Sequence, residues 1–209
     1  MKVVAFVPLK LESVRLPNKA TLPLGGVPLY KHLLNTLCQV RSCSEIYVFC
    51  SDDSLASDLP AGVQFLQRSK SLDADETLGA EIYQAFIEKV SADIYLLAHV
   101  TSPFITVQSI EAAIDHVSGD YDSAFTVRKI QNFVWYKSAP VNYDLSKIPR
   151  TQDLEPVYEE CSAFFCFKAG LWTESRRRIG DKHKMVELGH RESVDIDTWE
   201  DFELAKALL

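Results

Sequence analysis

The sequence predicts an α/β fold of three layers, in which helices cover both faces of a mostly parallel, doubly wound β-sheet. Short apolar runs alternate with helix-length amphipathic stretches along the chain, and the apolar runs are continuous. Continuous runs are typical of strands buried on both faces, and this alternation is typical of parallel sheets. A chain of 209 residues without an internal repeat or linker is expected to form one domain over residues 1–209.

Each predicted strand is an apolar run of the length that strands commonly have. These runs are VVAFV (3–7), EIYVFC (45–50), VQFL (63–66), DIYLLAHV (93–100), SAFTV (123–127) and AFFCF (163–167).

Each predicted helix lies between or after these strands. The stretch 28–40 begins with a proline, which the first turn of a helix tolerates. The stretches 78–90 and 106–117 repeat apolar residues every three or four positions, as an amphipathic helix does. A last helix is expected over 198–209, after the acidic segment ESVDIDTWED.

Residues 128–160 interrupt the alternation, because they contain prolines and aromatic residues but no helical stripe. We expect a small hairpin or irregular excursion from the sheet. Its cluster Phe133, Val134, Trp135 and Tyr136 is either a subunit interface or a cap on the domain's own core, and the sequence favours neither.

Composition limits the partners. Lysine plus arginine is 22 and aspartate plus glutamate is 29, so the net charge is −7. This balance argues against nucleic acid and anionic membranes, although a small anion could bind where cations cluster. We find no signal-peptide pattern or membrane-length apolar run, and the five cysteines show no CxxC spacing. A cytoplasmic protein without a zinc site is therefore expected.

The segment FVPLKLESVRLPNKA places Lys10, Arg15 and Lys19 directly after the first strand. Ligands of parallel sheets bind at the carboxyl ends of strands, so these cations are well placed to hold phosphate. Glu12 lies among them, and we expect it to point outward or to pair with one of them.

Asp195 and Asp197 are alternate residues of an extended segment, so both carboxylates should point to the same side. Two neighbouring carboxylates repel each other unless a cation lies between them, and Mg²⁺ prefers such oxygen ligands. The alternative is that Asp197 only caps the last helix, with Asp195 exposed.

Other polar residues allow two interpretations each. Arg68 could be a surface charge, Asp75 a helix cap, and His99 a satisfied residue at a strand end. The run Arg176–Arg178 is interpreted as a solvated helix end. Taken together, cations after the first strand and paired carboxylates near the end of the chain indicate a nucleotidyltransferase, which works mainly by positioning and charge neutralisation.

The sequence resembles the cytidylyltransferases that activate sialic and ulosonic acids, the CMP-sialic acid (acylneuraminate) and CMP-KDO synthetases. KLESVRLPNKA resembles their nucleotide loop in its KDO form, HVTSPF resembles the sialic-type QPTSP, and SVDIDTWEDFELA resembles the SIDIDTELDF ending. The match covers nearly the whole chain. It implies a Rossmann-like nucleotidyltransferase fold and transfer of CMP from CTP to a sialic-acid-like 2-keto sugar acid, with Mg²⁺ as cofactor and a homodimer in which residues 128–160 reach the partner.

The resemblance also implies roles for individual residues. Lys10, Lys19 and Asp197 would be catalytic, and Asp195 and Asp197 would bind the metal. The substrates would contact Ser13, Arg15, Arg68, Asp75, His99, Thr101, Ser102, Arg150 and Gln152.

Several positions depart from the family pattern: Lys10 replaces an arginine, Ala20 an asparagine, and Cys161-Ser162 an Asn-Gly pair. Two alternatives therefore stay open. The acceptor could be KDO or another small anion such as a phosphonate, or the chain could bind nucleotide without catalysis.

Overall fold

A seven-stranded sheet forms the centre of the computed structural model, which describes residues 1–209. Its strands are β1 (Val3–Pro8), β2 (Glu45–Cys50), β3 (Val63–Gln67), β4 (Ile94–Ala98), β5 (Ser123–Ile130), β6 (Val157–Lys168) and β7 (His183–Glu187). They lie in the order β7-β5-β6-β4-β1-β2-β3. Only β6 is antiparallel to its neighbours, so the predicted mostly parallel sheet is confirmed.

Helices cover both faces of the sheet. They are α1 (Leu29–Leu37), α2 (Gly79–Ile87), α3 (Val107–Ser118), α4 (Ala169–Ser175) and α5 (Trp199–Ala207). α1 and α3 pack in one apolar cluster and α2 and α4 in another. β1 shows why: Ala5 belongs to the first cluster and Phe6 to the second, because successive side chains of a strand point to opposite faces. The three-layer prediction is therefore confirmed.

A third, smaller apolar cluster lies outside the sheet. Phe202 of α5 packs there with Leu16 of the loop after β1, with Leu24 and with Ile196. Leu24 belongs to a tight hairpin, Pro23–Leu24 with Val27–Pro28, whose turn residues Gly25 and Gly26 both have positive φ. The cluster fastens the loop after β1 to the segment that precedes α5.

The predicted strands and helices are present, most of them with shifted ends, and two of the larger elements were missed. α4 and the edge strand β7 were not predicted. The excursion predicted over 128–160 is shorter, because 128–130 extend β5 and 157–160 begin β6. Pro28 precedes α1 and does not begin it.

The excursion exposes its apolar side chains. Trp135 is 52% exposed and Tyr136 65% exposed, and Val141, Leu145 and Ile148 are exposed as well. The interpretation that the aromatic cluster caps the domain's own core is therefore wrong for these two rings. No helix is both long enough and apolar enough to cross a membrane.

Candidate active site

The loop after β1 supplies one wall of a crevice of about 520 Å³, called here the main crevice. Burial of Leu16 and Ala20 anchors the loop, and Asn18 takes a left-handed conformation (φ 56°) before a short 3-10 turn at Lys19–Thr21. The loop residues that line the crevice include Lys10, Glu12, Ser13, Arg15 and Lys19. Glu12 lines the crevice as well, and it is exposed and forms no ion pair with the three cations.

Asp197 joins the end of the chain to this loop. Its Oδ1 lies 2.7 Å from Lys19 Nζ, and its Oδ2 lies 2.8 Å from Arg15 Nη1. The expected convergence of Lys19 and Asp197 on one crevice is therefore confirmed.

Asp197 does not cap α5. The Thr198 side chain accepts a hydrogen bond from the Asp201 backbone N–H, and the Asp201 carboxylate accepts hydrogen bonds from the backbone N–H groups of Asp197 and Thr198. Burial raises the pKa of Asp201, but these backbone hydrogen bonds outweigh it, so the pKa lies below its usual value. The capping box leaves the Asp197 carboxylate free to face the loop.

Asp195 lines the main crevice beside Asp197 and also lines a second cavity of about 590 Å³, called here the adjoining cavity. Its Oδ1 is buried and has no hydrogen-bond partner. A buried carboxylate oxygen without a partner is unfavourable unless a ligand satisfies it, and a hard cation would do so. No group of three or more His, Cys, Asp or Glu side chains is arranged to hold a metal. A cation here would therefore take its further oxygen ligands from water or a substrate.

The loop after β4 adds His99, Thr101 and Ser102. Thr101 lines the main crevice, and Ser102 is buried against the adjoining cavity. The Thr101 carbonyl accepts a hydrogen bond from the Ile196 N–H at 2.8 Å. This backbone bond holds the aspartate segment against the end of β4.

His99 is half-buried and lines the main crevice. Its Nδ1 lies 2.5 Å from the Ser162 carbonyl oxygen. Since a carbonyl only accepts, Nδ1 carries the proton and Nε2 of the neutral ring is an acceptor. Burial lowers the pKa of His99 and outweighs the Ser162 hydrogen bond, which raises it. Ser162 is positioned by an irregularity in the β5–β6 ladder between Glu160 and Phe165.

Arg68 lies behind the crevice and does not line it. It is 4% exposed, and its Nη2 pairs with Asp73 Oδ1 at 2.6 Å. Asp73 also binds the Ser51 hydroxyl, and its carbonyl oxygen accepts a hydrogen bond from Lys10 Nζ at 2.5 Å. Burial raises the pKa of Asp73, but the hydrogen bonds from Ser51 and Arg68 outweigh it, so the pKa is lowered. The interpretation of Arg68 as a surface charge is wrong.

Asp75 lines the main crevice, and its Oδ1 lies 3.1 Å from Lys10 Nζ. Its side chain is 79% exposed, and the residue that precedes α2 is Leu78. Asp75 is therefore not the cap of that helix.

Arg150 and Gln152 are not brought together with the other predicted residues. Both are exposed on the excursion, in or beside the 3-10 turn Thr151–Asp153, and neither lines the main crevice or the adjoining cavity. Arg150 holds Asp153 through Nε at 2.6 Å and Nη2 at 3.1 Å.

The sequence interpretation missed Arg178. It follows α4, lines the main crevice, and stacks its guanidinium 3.7 Å from the centroid of the Phe165 ring. Its Nη1 donates to the Tyr83 hydroxyl and its Nη2 pairs with Glu160. The interpretation of this arginine as a solvated helix end is wrong.

The family model described as cytidylyltransferase matches residues 4–208. This chain belongs to the cytidylyltransferase family. The cytidylyltransferase is 28% identical over 225 residues to CMP-N,N'-diacetyllegionaminic acid synthase of Legionella pneumophila, a match that covers 100% of this chain and 97% of the relative. It is 23% identical over 214 residues to an N-acylneuraminate cytidylyltransferase of Streptococcus agalactiae, covering 97% of this chain. The match spans about half (52%) of that longer protein.

Its fold is similar to a solved structure of CMP:2-keto-3-deoxy-manno-octonic acid synthetase complexed with CTP. The TM-score is 0.75 at 18% identity, and the match covers 100% of this cytidylyltransferase and 98% of that chain. At this identity the likeness shows the shared Rossmann-like fold.

Proposed function

We propose that this cytidylyltransferase transfers CMP from CTP to a sialic-acid-like 2-keto sugar acid and releases pyrophosphate in a Mg²⁺-dependent reaction. The observation that carries the proposal is the convergence of Lys19, Arg15 and Asp197, with Asp195 beside them, in one crevice. Support for the acceptor class comes from the two relatives, whose names specify a legionaminic and a neuraminic acid.

The cations of the β1 loop would bind the triphosphate. Each is now held by a carboxylate: Lys10 by Asp75, and Arg15 and Lys19 by Asp197. These pairs fix the cations near the crevice before the nucleotide arrives. Phosphate oxygens, with the Ser13 hydroxyl as a further contact, can then replace the carboxylates as partners.

Asp195 and Asp197 would hold Mg²⁺, and the unpartnered Oδ1 of Asp195 supports this assignment. The ion, when bound, would neutralise phosphate charge and polarise the phosphoryl group.

The reaction forms one phosphorus–oxygen bond, breaks another and transfers one proton. The anomeric hydroxyl oxygen of the acid forms a bond to the α-phosphorus, and the bond from that phosphorus to the β-phosphate oxygen breaks. Pyrophosphate leaves with the electron pair. His99 is a suitable acceptor for the hydroxyl proton, because it is neutral at pH 7 and its Nε2 has no hydrogen-bond partner. Thr101 and Ser102 would contact the cytidine and the sugar.

Arg150 and Gln152 are proposed to act on the acceptor in a homodimer. Neither reaches the crevices of its own chain, so they would contribute to the site of a second copy. The exposed Trp135, Tyr136 and Ile148 on the same excursion provide an apolar surface suited to a subunit interface.

A pyrophosphate-release screen tests the proposal. CTP, ATP, GTP and UTP are each combined with N-acetylneuraminic acid, N,N'-diacetyllegionaminic acid or 3-deoxy-manno-octulosonic acid (KDO), with and without Mg²⁺. We expect release with CTP and a nine-carbon acid. Asp197→Ala should lose about 10²–10³-fold in kcat, while Asp181→Ala, which removes an exposed carboxylate paired with Arg177, should not. CTP binding by calorimetry without turnover of any acid would instead indicate a non-catalytic nucleotide-binding protein.

A further inference from the structure

Arg178 is a preorganised cation that the roles above do not use. The Phe165 ring supports the plane of its guanidinium, Tyr83 accepts from Nη1 at 3.2 Å, and Glu160 lies 3.0 Å from Nη2. Tyr83 belongs to α2, whereas Phe165 and Glu160 belong to β6, so the Arg178 side chain is fixed from more than one direction. Little conformational entropy remains to be lost when it binds a ligand.

The guanidinium keeps donors for a ligand. An arginine has five N–H donors. Tyr83 accepts one hydrogen bond from Nη1, and Glu160 accepts one from Nη2. The Nε–H and the other Nη hydrogens have no partner within the protein. A planar group with adjacent free donors is suited to bind a carboxylate through two parallel hydrogen bonds.

Arg178 lies where the two cavities meet. It lines the main crevice together with Ser162 and Asp195, and these two residues also line the adjoining cavity. Its partner Glu160 lines the adjoining cavity as well. The triphosphate cations Lys10, Arg15 and Lys19, in contrast, all belong to the β1 loop. Arg178 is therefore placed at the junction between the nucleotide side and the acceptor side.

The chemistry of the acceptor requires a carboxylate at this junction. In a 2-keto sugar acid the carboxylate and the anomeric hydroxyl are attached to the same carbon atom. When that hydroxyl reacts at the α-phosphorus near Asp195 and Asp197, the carboxylate must lie within a few bonds of it. An arginine on the distant excursion of the same chain cannot reach that position, whereas Arg178 lines it.

We propose that Arg178 binds the carboxylate of the acceptor acid and thereby selects 2-keto acids as substrates. Glu160 and Tyr83 are positioning residues, because they act by orienting the guanidinium. The inference rests on the proposed function and adds the residue that recognises the acceptor.

Steady-state kinetics of Arg178→Gln tests the inference, with the most reactive of the three acids named above as acceptor. We expect the KM for the acid to rise about 10- to 100-fold, the range for a charged hydrogen-bonded pair, and the KM for CTP to change less than about threefold. The KM of Arg178→Lys for the acid should lie between those of the wild type and Arg178→Gln, since lysine keeps the charge but loses the planar fork. It also serves as the second variant if Arg178→Gln does not fold.

Arg177→Gln is the matched control, because Arg177 adjoins Arg178 and pairs only with the exposed Asp181. We expect wild-type kinetics from it. The carboxamide of the same acid supplies a second readout: it should be a poor substrate for the wild type, and Arg178→Gln should weaken its use no further.

An unchanged KM for the acid in Arg178→Gln would overturn the inference, as would a rise in the KM for CTP alone. It would also be overturned if Arg150→Gln, and not Arg178→Gln, raised the KM for the acid. In all three cases the wild type still turns over the acid, so the proposed function stands. A wild type that turned over no 2-keto acid would contradict both proposals.

Discussion

The ion pair between Arg68 and Asp73 predicts a large difference between two neighbouring aspartates. Asp73→Ala leaves the guanidinium of Arg68, whose side chain is 2% exposed, with only the Phe49 carbonyl as partner, at 3.3 Å. Asp75→Ala removes a carboxylate that is 79% exposed and pairs with Lys10. Both changes delete one aspartate from one ion pair, and they differ in burial and in the hydrogen bond from the Ser51 hydroxyl, which only Asp73→Ala removes.

The expected magnitudes follow from that difference. Breaking a buried pair by removing one partner costs about 3–5 kcal/mol, which for a chain of this size lowers Tm by about 6–20 °C. An exposed pair contributes at most about 1 kcal/mol. Urea titration followed by circular dichroism measures both free energies of unfolding. Asp73→Ala should also raise the KM for CTP, because the turn that carries Asp73 holds Lys10 through a carbonyl oxygen.

The pH dependence gives an independent check. The folded-state pKa of Asp73 is lowered, so the stability it contributes is complete above the unfolded-state value of about 3.9 and is lost as pH falls through the folded-state pKa. The stability gap between wild type and Asp73→Ala should therefore be constant between pH 5 and 8 and narrow below about pH 4. If Asp73→Ala cost less than about 1 kcal/mol, or if Asp75→Ala cost as much, the argument from burial would be wrong.

Three further predictions concern catalysis, helix capping and assembly. His99→Gln should lower kcat by about 10²–10⁴-fold. It should also remove the acid limb of the kcat/KM profile, which in the wild type lies below about pH 6.5 because burial lowers the pKa of His99; an unchanged limb would exclude His99 as the base. Thr198→Ala should cost about 1 kcal/mol by losing the cap of α5, whereas Thr198→Ser should retain most of it, as thermal melts would show. Trp135→Ser combined with Tyr136→Ser should convert a dimer to a monomer in light scattering, and a monomeric wild type would contradict the interface.

The sequence predicted the buried strands because their signal is strong and local. Runs such as EIYVFC at 45–50 are apolar throughout, and that strand has the predicted ends. β7 was missed because it pairs on one side only and alternates exposed with half-buried residues over HKMVE. α4 was missed because it is a short helix packed mainly through the single buried Trp172.

Lys19 was placed correctly because ligands of parallel sheets bind at the carboxyl ends of strands. Asp197 follows no predicted strand, so its convergence with Lys19 was predicted from the chemistry of paired carboxylates and nearby cations. The role of Asp197 was ambiguous because a shift of one residue, to Thr198, decides which side chain caps α5. The three consecutive arginines could not be separated from sequence. Arg176 takes a left-handed conformation that ends α4, Arg177 pairs on the surface, and Arg178 enters the main crevice. Only the path of the backbone distinguishes them.

The way the excursion joins the sheet has a practical consequence. Ile130 and Val157 are directly paired across the antiparallel ladder of β5 and β6, so the chain returns beside the point where it left. Residues 131–156 form a closed insertion, and a tight turn could connect the two strands in their place. Such a deletion variant would keep every strand of the main sheet while lacking Arg150 and the exposed rings, which makes it a direct way to ask whether one copy of the chain can work alone.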